Sequence, residues 1–331
     1  MKTLSNKSFD LRHITSWKHR EWLDQCVSFD TNRLMVGVSG YESRSSDWIR
    51  QTLSELPNSE RNAYLILGFA AYQQALSRPM NNSFYEKNDL PVVIPKDDEH
   101  ALDIVKNAVK KRVDESGVTP VEVHVDYSSM PRSWYCILPV VLSRIVRACD
   151  KLYFWYTPGA YPETEYPTAG VEDFKVFSGK PNLNPRSRTH FFGLGFDKIR
   201  SHAIWSVLDP TKLVCFYASP GTRADYVDRV VHDNKDILSA ADHVFTVDMR
   251  DFAYTYSRIA GVVREFNQLG DVILVPDGPK PLILASSLVP VVLGQPGVVC
   301  FHVSRRKIQQ SEPVNVDSIG PAFGFSFSVL G

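Results

Sequence analysis

The stretch that most constrains this chain is residues 272–285, VILVPDGPKPLILA. An apolar run leads into a tight turn of Asp277, Gly278, Pro279, Lys280 and Pro281, and an apolar segment of helical character leaves it. That is the form of a buried parallel strand, a loop at its carboxyl end, and a helix. Open α/β sheets bind ligands in the crevice at those carboxyl ends. A helix start also offers unpaired backbone N–H groups and a positive dipole end, which favour anions. Lys280 adds a cation there. About 150 residues earlier the form recurs in residues 122–138, EVHVDYSSMPRSWYCIL. Here the order is strand, Asp126, a polar turn with Ser128, Ser129 and Pro131, the cation Arg132, and an apolar helix.

The rest of the chain alternates in the same manner. Residues 34–38 (LMVGV) read as a buried first strand, ending in Gly40-Tyr41-Glu42-Ser43-Arg44-Ser45 and a helical pattern through Trp48, Ile49, Leu53 and Leu56. Residues 63–69 form a second strand, and 98–113 an amphipathic helix. Residues 76–90, polar and rich in Asn, read as a long loop or lid, and 91–95 (PVVIP) as a short extended piece. Residues 137–149 read as one helix and 152–157 as a strand. Residues 158–189 read as a linker, with a hairpin near Phe174 and Phe177. Strands then restart at 190–194, 213–217, 244–247, 272–275 and 298–303, with a helix over 252–266 and a tail rising into 322–330. Residues 1–31 read as a helix or arm packed on the first domain.

The two halves align. The loop at Gly40 to Ser45 faces Gly195 to Ser201, Leu65 faces Val214, Asp126 faces Asp277, and Tyr153 faces Val299, with offsets between 146 and 155 residues. Such spacing points to two copies of one α/β unit. The expected fold is α/β: two tandem Rossmann-like units with mainly parallel sheets, pseudo-twofold related. The expected domains are 1–157 and 190–331, joined by 158–189.

Composition bounds the function. The 331 residues carry 37 Lys+Arg against 37 Asp+Glu, a formal net charge of zero. That disfavours a general electrostatic grip on long nucleic acid. The cysteines at 26, 136, 149, 215 and 300 form no CxxC pair and mostly lie in apolar runs, as buried reduced thiols of a cytoplasmic protein do. No run approaches the roughly 18 apolar residues of a membrane helix. No GxxxxGK[ST], complete GxGxxG, GxSxG or HExxH occurs. Acids do not cluster, so no metal site is expected, and no cofactor is implied. His124 and His302 sit within strands as core histidines, and Trp48, Trp134 and Trp155 lie in core-like surroundings.

The loops carry the candidate chemistry. Tyr41 and Phe196 offer faces for stacking a base. Glu42 and Asp197 can accept from a ribose or base edge, and Arg44 and Arg200 can reach phosphate. Ser128 and Ser129 can donate to an anion, with Arg132 and Lys280 as cationic contacts. Asp126 and Asp277 can cap the helices that follow. Ala218 to Arg223 forms a third loop with Arg223 as its cation, and its counterpart, residues 69–72 (FAAY), has none. The competing reading of the same loops is capped helix starts with surface ion pairs.

The strand–Asp–turn form with GPKP ahead of an apolar helix resembles the second motif of CRISPR-associated Rossmann-fold (CARF) sensor domains, where a turn at a strand end binds cyclic oligoadenylate. The loops at Gly40 and Gly195 fall where that family's first ligand motif lies. Two fused copies resemble the SAVED arrangement of antiphage systems. Pro279 stands where that family favours Thr, and the first copy reads SSMPR. The resemblance implies a nucleotide-sensing regulatory protein of an antiphage defence system with a small phosphate-bearing ligand, a protein partner of the same operon, and a cleft between the two units lined by the residues named above. Two alternatives use the same residues. One is a metal-independent phosphodiesterase or nucleotide transferase with Ser128 or Asp126 as nucleophile or base. The other is a non-catalytic assembly subunit.

Overall fold

The structure is a computed structural model and describes residues 14–25, 31–70, 73–161, 171–184, 186–195, 197–305, 315–316 and 318–329. The chain divides into two compact units, Met1–Pro162 with Pro313–Gly331, and Glu163–Glu312.

The first unit contains β1 (Thr15–Lys18), α1 (His19–Gln25), β2 (Asn32–Ser39), α2 (Asp47–Glu55), β3 (Asn62–Gly68), α3 (Arg78–Lys87), β4 (Val92–Val93) and α4 (Asp98–Glu115). It continues with β5 (Val121–Asp126), α5 (Arg132–Tyr135), α6 (Leu138–Ser143), β6 (Lys151–Tyr156) and β7 (Gly159–Ala160). The second unit contains β8 (Val171–Lys180), β9 (Arg188–Gly193), α7 (Lys198–Leu208), β10 (Leu213–Ala218), α8 (Ala224–Asp233) and α9 (Lys235–Ala240). It continues with β11 (His243–Val247), α10 (Phe252–Leu269), β12 (Asp271–Pro276), α11 (Lys280–Leu293) and β13 (Val298–Arg305). β14 (Ser318–Ile319) and β15 (Phe323–Phe327) return to the first unit.

Both sheets follow one plan. The first runs β1-β15-β6-β5-β2-β3-β4 and the second β11-β10-β9-β12-β13-β8. Counting each unit's parallel strands in chain order, both read third-second-first-fourth-fifth, the doubly wound order. All pairings within those five are parallel. The fold is therefore α/β with two mainly parallel, Rossmann-like sheets. A sixth strand lies antiparallel beside the fifth in each case: β15 on β6 and β8 on β13. Each sixth strand follows, in sequence, the fifth strand of the other unit.

That exchange moves the expected boundaries. Residues 158–189 are not only a linker, because they hold β8. The expected hairpin there is one long strand paired with β13. The tail, expected in the second domain, supplies β15 to the first sheet. Residues 76–90 are not a loop: α3 occupies Arg78–Lys87. Its Asn side chains, poor helix formers in isolation, are held by tertiary hydrogen bonds described below. The single helix expected over 137–149 is shorter: α6 covers Leu138–Ser143, with a proline in its first turn, and a separate short helix, α5, precedes it.

Apolar strands bury as their patterns require. In the first unit Met35, Ile49, Ile66, Trp48 and Trp155 pack in one cluster. α1 adds Trp22, whose ring lies 4.6 Å from His124 and 5.3 Å from Trp155. The arm expected from residues 1–31 is thus seen as β1 and α1, with residues 1–13 and 26–30 outside the described residues. In the second unit Phe192, Ile204, Cys215, Ile237 and Val275 form the cluster. Cys136, Cys215 and Cys300 are buried and not in disulfides, and Cys149, likewise not in a disulfide, is exposed in a turn. Among the described residues no helix is long and apolar enough to cross a membrane.

Candidate functional site

At the carboxyl end of the first sheet, β2 delivers Gly40, Tyr41, Glu42 and a short 3-10 turn, Ser43–Ser46. Arg44 points inward and is 2% exposed. Its Nε donates to Glu42 Oε2 at 2.7 Å, Nη1 to Tyr156 OH and Thr157 O at 3.2 and 3.1 Å, and Nη2 to Tyr161 OH at 2.8 Å. Tyr161 OH donates to Glu42 Oε1 at 2.6 Å. Burial alone lowers an arginine's pKa, but Tyr156, Glu42 and Tyr161 outweigh it and hold this one well above its ordinary value.

The second unit builds the same device from different parts. Arg200 is fully buried; its Nε donates to both Asp277 oxygens at 2.8 Å, and Nη2 donates to Val303 O at 2.6 Å. In both units, then, a buried arginine behind the first strand reaches a carbonyl near the carboxyl end of the fifth. A buried asparagine behind the second strand is also shared. Asn81 Nδ2 donates to Gly40 O and Glu42 O at 2.9 and 3.0 Å, and Asn234 Nδ2 donates to Gly195 O at 2.9 Å. Gly195 is required here, since a Cβ would stand 2.5 Å from Asp277 O.

Several expected ligand contacts are therefore internal. Arg44 and Arg200 were expected to reach phosphate and Glu42 a ribose; all three are buried and tied within their own units. Asp277 is consumed by Arg200. Asp197 caps α7, accepting from Arg200 N at 3.1 Å. Asp126 accepts from Ser128 N at 3.0 Å and from Ser128 Oγ, and that hydroxyl in turn accepts from Thr157 N at 2.7 Å. Asp126 and Ser128 are both buried, so neither meets solvent as a nucleophile or base would. Arg223 forks onto Asp225 at 2.9 and 3.0 Å. Tyr41, Ser129, Arg132 and Lys280 remain half-buried at the loop surface. Ser129 Oγ lies 2.7 Å from Ser45 Oγ. Arg132 and Lys280 are the first residues of α5 and α11, each behind a proline with φ near −60° and ψ of 153°. Phe196, expected to stack a base, lies outside the described residues.

One residue that the loop reading passed over stands out. Arg78, the first residue of α3, is 1% exposed. Its Nε donates to Asn82 Oδ1 at 2.9 Å, and that oxygen also accepts from Ser39 Oγ at 2.7 Å. Its Nη2 is buried with no acceptor. No carboxylate pairs with it among the described residues, and the 69–77 segment that leads to it, FAAYQQALS, contains no acid. Gly68, at the end of β3, keeps the space: a Cβ there would sit 2.6 Å from Nη2. Burial lowers its pKa, the nearby Tyr85 opposing. The first unit thus does have a cation behind its second strand, six residues beyond the FAAY loop. The readable signal was Arg-Pro opening a segment, a common helix start.

No family model matches this chain, and no curated protein matches it. A solved structure, the binary complex of leucoanthocyanidin reductase with NADPH from Vitis vinifera, aligns over 81% of this chain and 92% of its own at 9% identity, with a TM-score of 0.25. Likeness at that level carries no argument, so the Rossmann-like assignment rests on the strand order itself.

Proposed function

We propose that this chain is a nucleotide-binding regulatory protein whose ligand presents a phosphate to the carboxyl end of the first unit's sheet, at Arg78. The observation that carries this reading is a buried guanidinium with an unsatisfied donor and no acid beside it among the described residues. A buried cation without a counter-charge costs several kcal/mol, and a bound anion removes that cost. The other buried arginines at these carboxyl ends, Arg44 and Arg200, have an acid of their own. Arg132, at a helix start behind a proline, supplies a second cationic contact in the first unit, and Lys280 holds the matching place in the second. The ligand class we favour is an oligonucleotide, cyclic or linear, and the setting an antiphage defence system, on the resemblance of the GPKP turn and the doubled unit. The enzymatic alternative is weakened by the burial of Ser128 and Asp126.

Calorimetry on the full chain with inorganic phosphate, mononucleotides, and linear and cyclic oligoadenylates tests this. At least one should bind, and Arg78→Met should weaken it at least tenfold, about 1.4 kcal/mol. Arg78→Met should leave the unliganded protein as stable as before or more so, because it removes an uncompensated charge. Silence across the ligand set, or an Arg78→Met variant that binds as tightly as the parent, would overturn the proposal.

A further inference from the structure

We infer that two copies of this chain associate about a two-fold axis through β11 and α10 of the second unit. β11 is the free edge of the second sheet. Three of its five residues are uncovered: Val244 is 46% exposed, and His243 and Thr246 are exposed as well, while Phe245 is half-buried and Val247 buried. Its sequence, HVFTV, lacks the proline and lysine that blunt natural edges. The matching edge of the first sheet, β4, is cut to two residues and flanked by Pro91 and Pro95. Of two edges built on one plan, one is closed to further pairing and the other is left open.

α10 presents a self-complementary stripe beside that edge. Tyr254, Arg258, Gly261, Val262, Glu265 and Leu269 follow at helical spacing. Tyr254 and Leu269, 51% and 69% exposed, lie equidistant from the Gly261–Val262 peptide, and so do Arg258 and Glu265. An antiparallel pair of helices crossing at that peptide sets Arg258 against Glu265 of the second copy and Tyr254 against Leu269, each contact made twice. Neither Arg258 nor Glu265 has an ion-pair partner in its own chain among the described residues; the Arg258 guanidinium lies 5.6 Å from the Phe245 ring. Gly261 fits the crossing. A Cβ there meets nothing within 4 Å among the described residues, so no contact they make asks for glycine inside an 18-residue helix, where it weakens the helix relative to alanine. Close approach of a second backbone does ask for it. The same axis, passing through Phe245, pairs β11 with its mate antiparallel and joins the two six-stranded sheets into one.

Sedimentation velocity of the full chain from about 1 to about 100 µM tests this. The parent should be a dimer within that range. Arg258→Glu or Glu265→Arg should each raise the dissociation constant at least about tenfold, and the double reversal R258E/E265R should restore it. Arg264→Glu, exposed but off the stripe, should change nothing. All are exposed helix positions, so circular dichroism should show an intact fold. A parent that is monomeric throughout overturns the inference. So does a dimer that ignores both single reversals, or a double reversal that stays dissociated.

Discussion

The two units share a strand order and differ in where each finds the acid for its buried arginine. In the first, Glu42 stands two residues before Arg44, on the same loop, and Tyr156, Tyr161 and Thr157 complete the shell. In the second the acid is Asp277, at the end of β12, reached across the sheet. The same difference frees the two Asp loops for different uses. Asp277 locks to Arg200, while Asp126 turns back on Ser128. The comparison teaches that the feature shared by the two units is the arginine-to-fifth-strand tie and the asparagine beside it, and that the acids around them differ. The cation behind the second strand diverges furthest. Arg223 is partly exposed and paired with Asp225, whereas Arg78 is buried without an acid among the described residues.

The largest expected effect follows from that supply of acid. Removing one partner of a buried ion pair costs about 3–5 kcal/mol, because the other charge is stranded. Arg200→Met should cost that much and unlock the second unit. Arg44→Met should cost less, because Glu42 keeps the Tyr161 hydroxyl and lies near Ser129. Hydrogen exchange by mass spectrometry, read on β9 and β12 against β2 and β5, separates the two. Equal losses would break the comparison.

The next effect is pH. Burial lowers the pKa of His19 to about 4 from an ordinary 6.5, with Gln51 opposing. Burial also lowers His124, with Glu122 opposing. Both sit in the aromatic core of the first unit. The unfolded chain takes up these protons below about pH 6.5 and the folded one does not. Stability from these groups is therefore complete above that pH and is lost as pH falls toward 4, by about 3 kcal/mol for His19 alone. In the second unit His190 is lowered by burial and by Arg188. Urea titrations at pH 7.5 and 5, with exchange read by unit, should show the first unit losing more. His19→Gln should flatten its dependence.

Much of this fold was legible. Every parallel strand expected from an apolar run ending in Asp, Gly or a polar turn is present, because burial leaves that mark on all but the edge strands. The exchange of sixth strands was not legible. FGFSF alternates like any half-covered strand and carries no address, and its partner β6 lies far away in sequence. α3 was hidden because Asn81 and Asn82 earn their places through tertiary hydrogen bonds rather than propensity. The site was half legible. An acid followed by an arginine shows that both charges lie on one loop, but not whether they close on each other. One further likeness between the halves was in plain view: Pro139-Val140-Val141-Leu142 in α6 recurs as Pro290-Val291-Val292-Leu293 in α11.

The asparagines give a finer comparison. Asn81 serves two loop carbonyls and accepts from Ser46 Oγ at 2.7 Å. Asn234 serves one loop carbonyl and one carbonyl of α8, the helix it ends, and its Oδ1 has no donor among the described residues. Leaving a buried carbonyl unpaired costs about 1–3 kcal/mol. Asn81→Ala should fall at the upper end of that range and Asn234→Ala at the lower. Paired urea midpoints at constant slope measure the gap, and a larger loss at Asn234 would reverse the ranking of the two loops.

The smallest effect tests the pair that diverged furthest. Arg223 and Asp225 keep 32% and 50% of their side-chain surface exposed, so solvent screens their attraction. Arg223→Ala should change stability by no more than about 0.5 kcal/mol. It should also leave the affinity for a phosphate ligand unaltered, because Asp225 already neutralises the guanidinium. Calorimetry on Arg223→Ala beside Arg78→Met therefore decides which of the two cations behind the second strands serves a ligand. A loss at Arg223 equal to that at Arg78 would mean that both units bind with this loop, and that the pairing with Asp225 yields when an anion arrives.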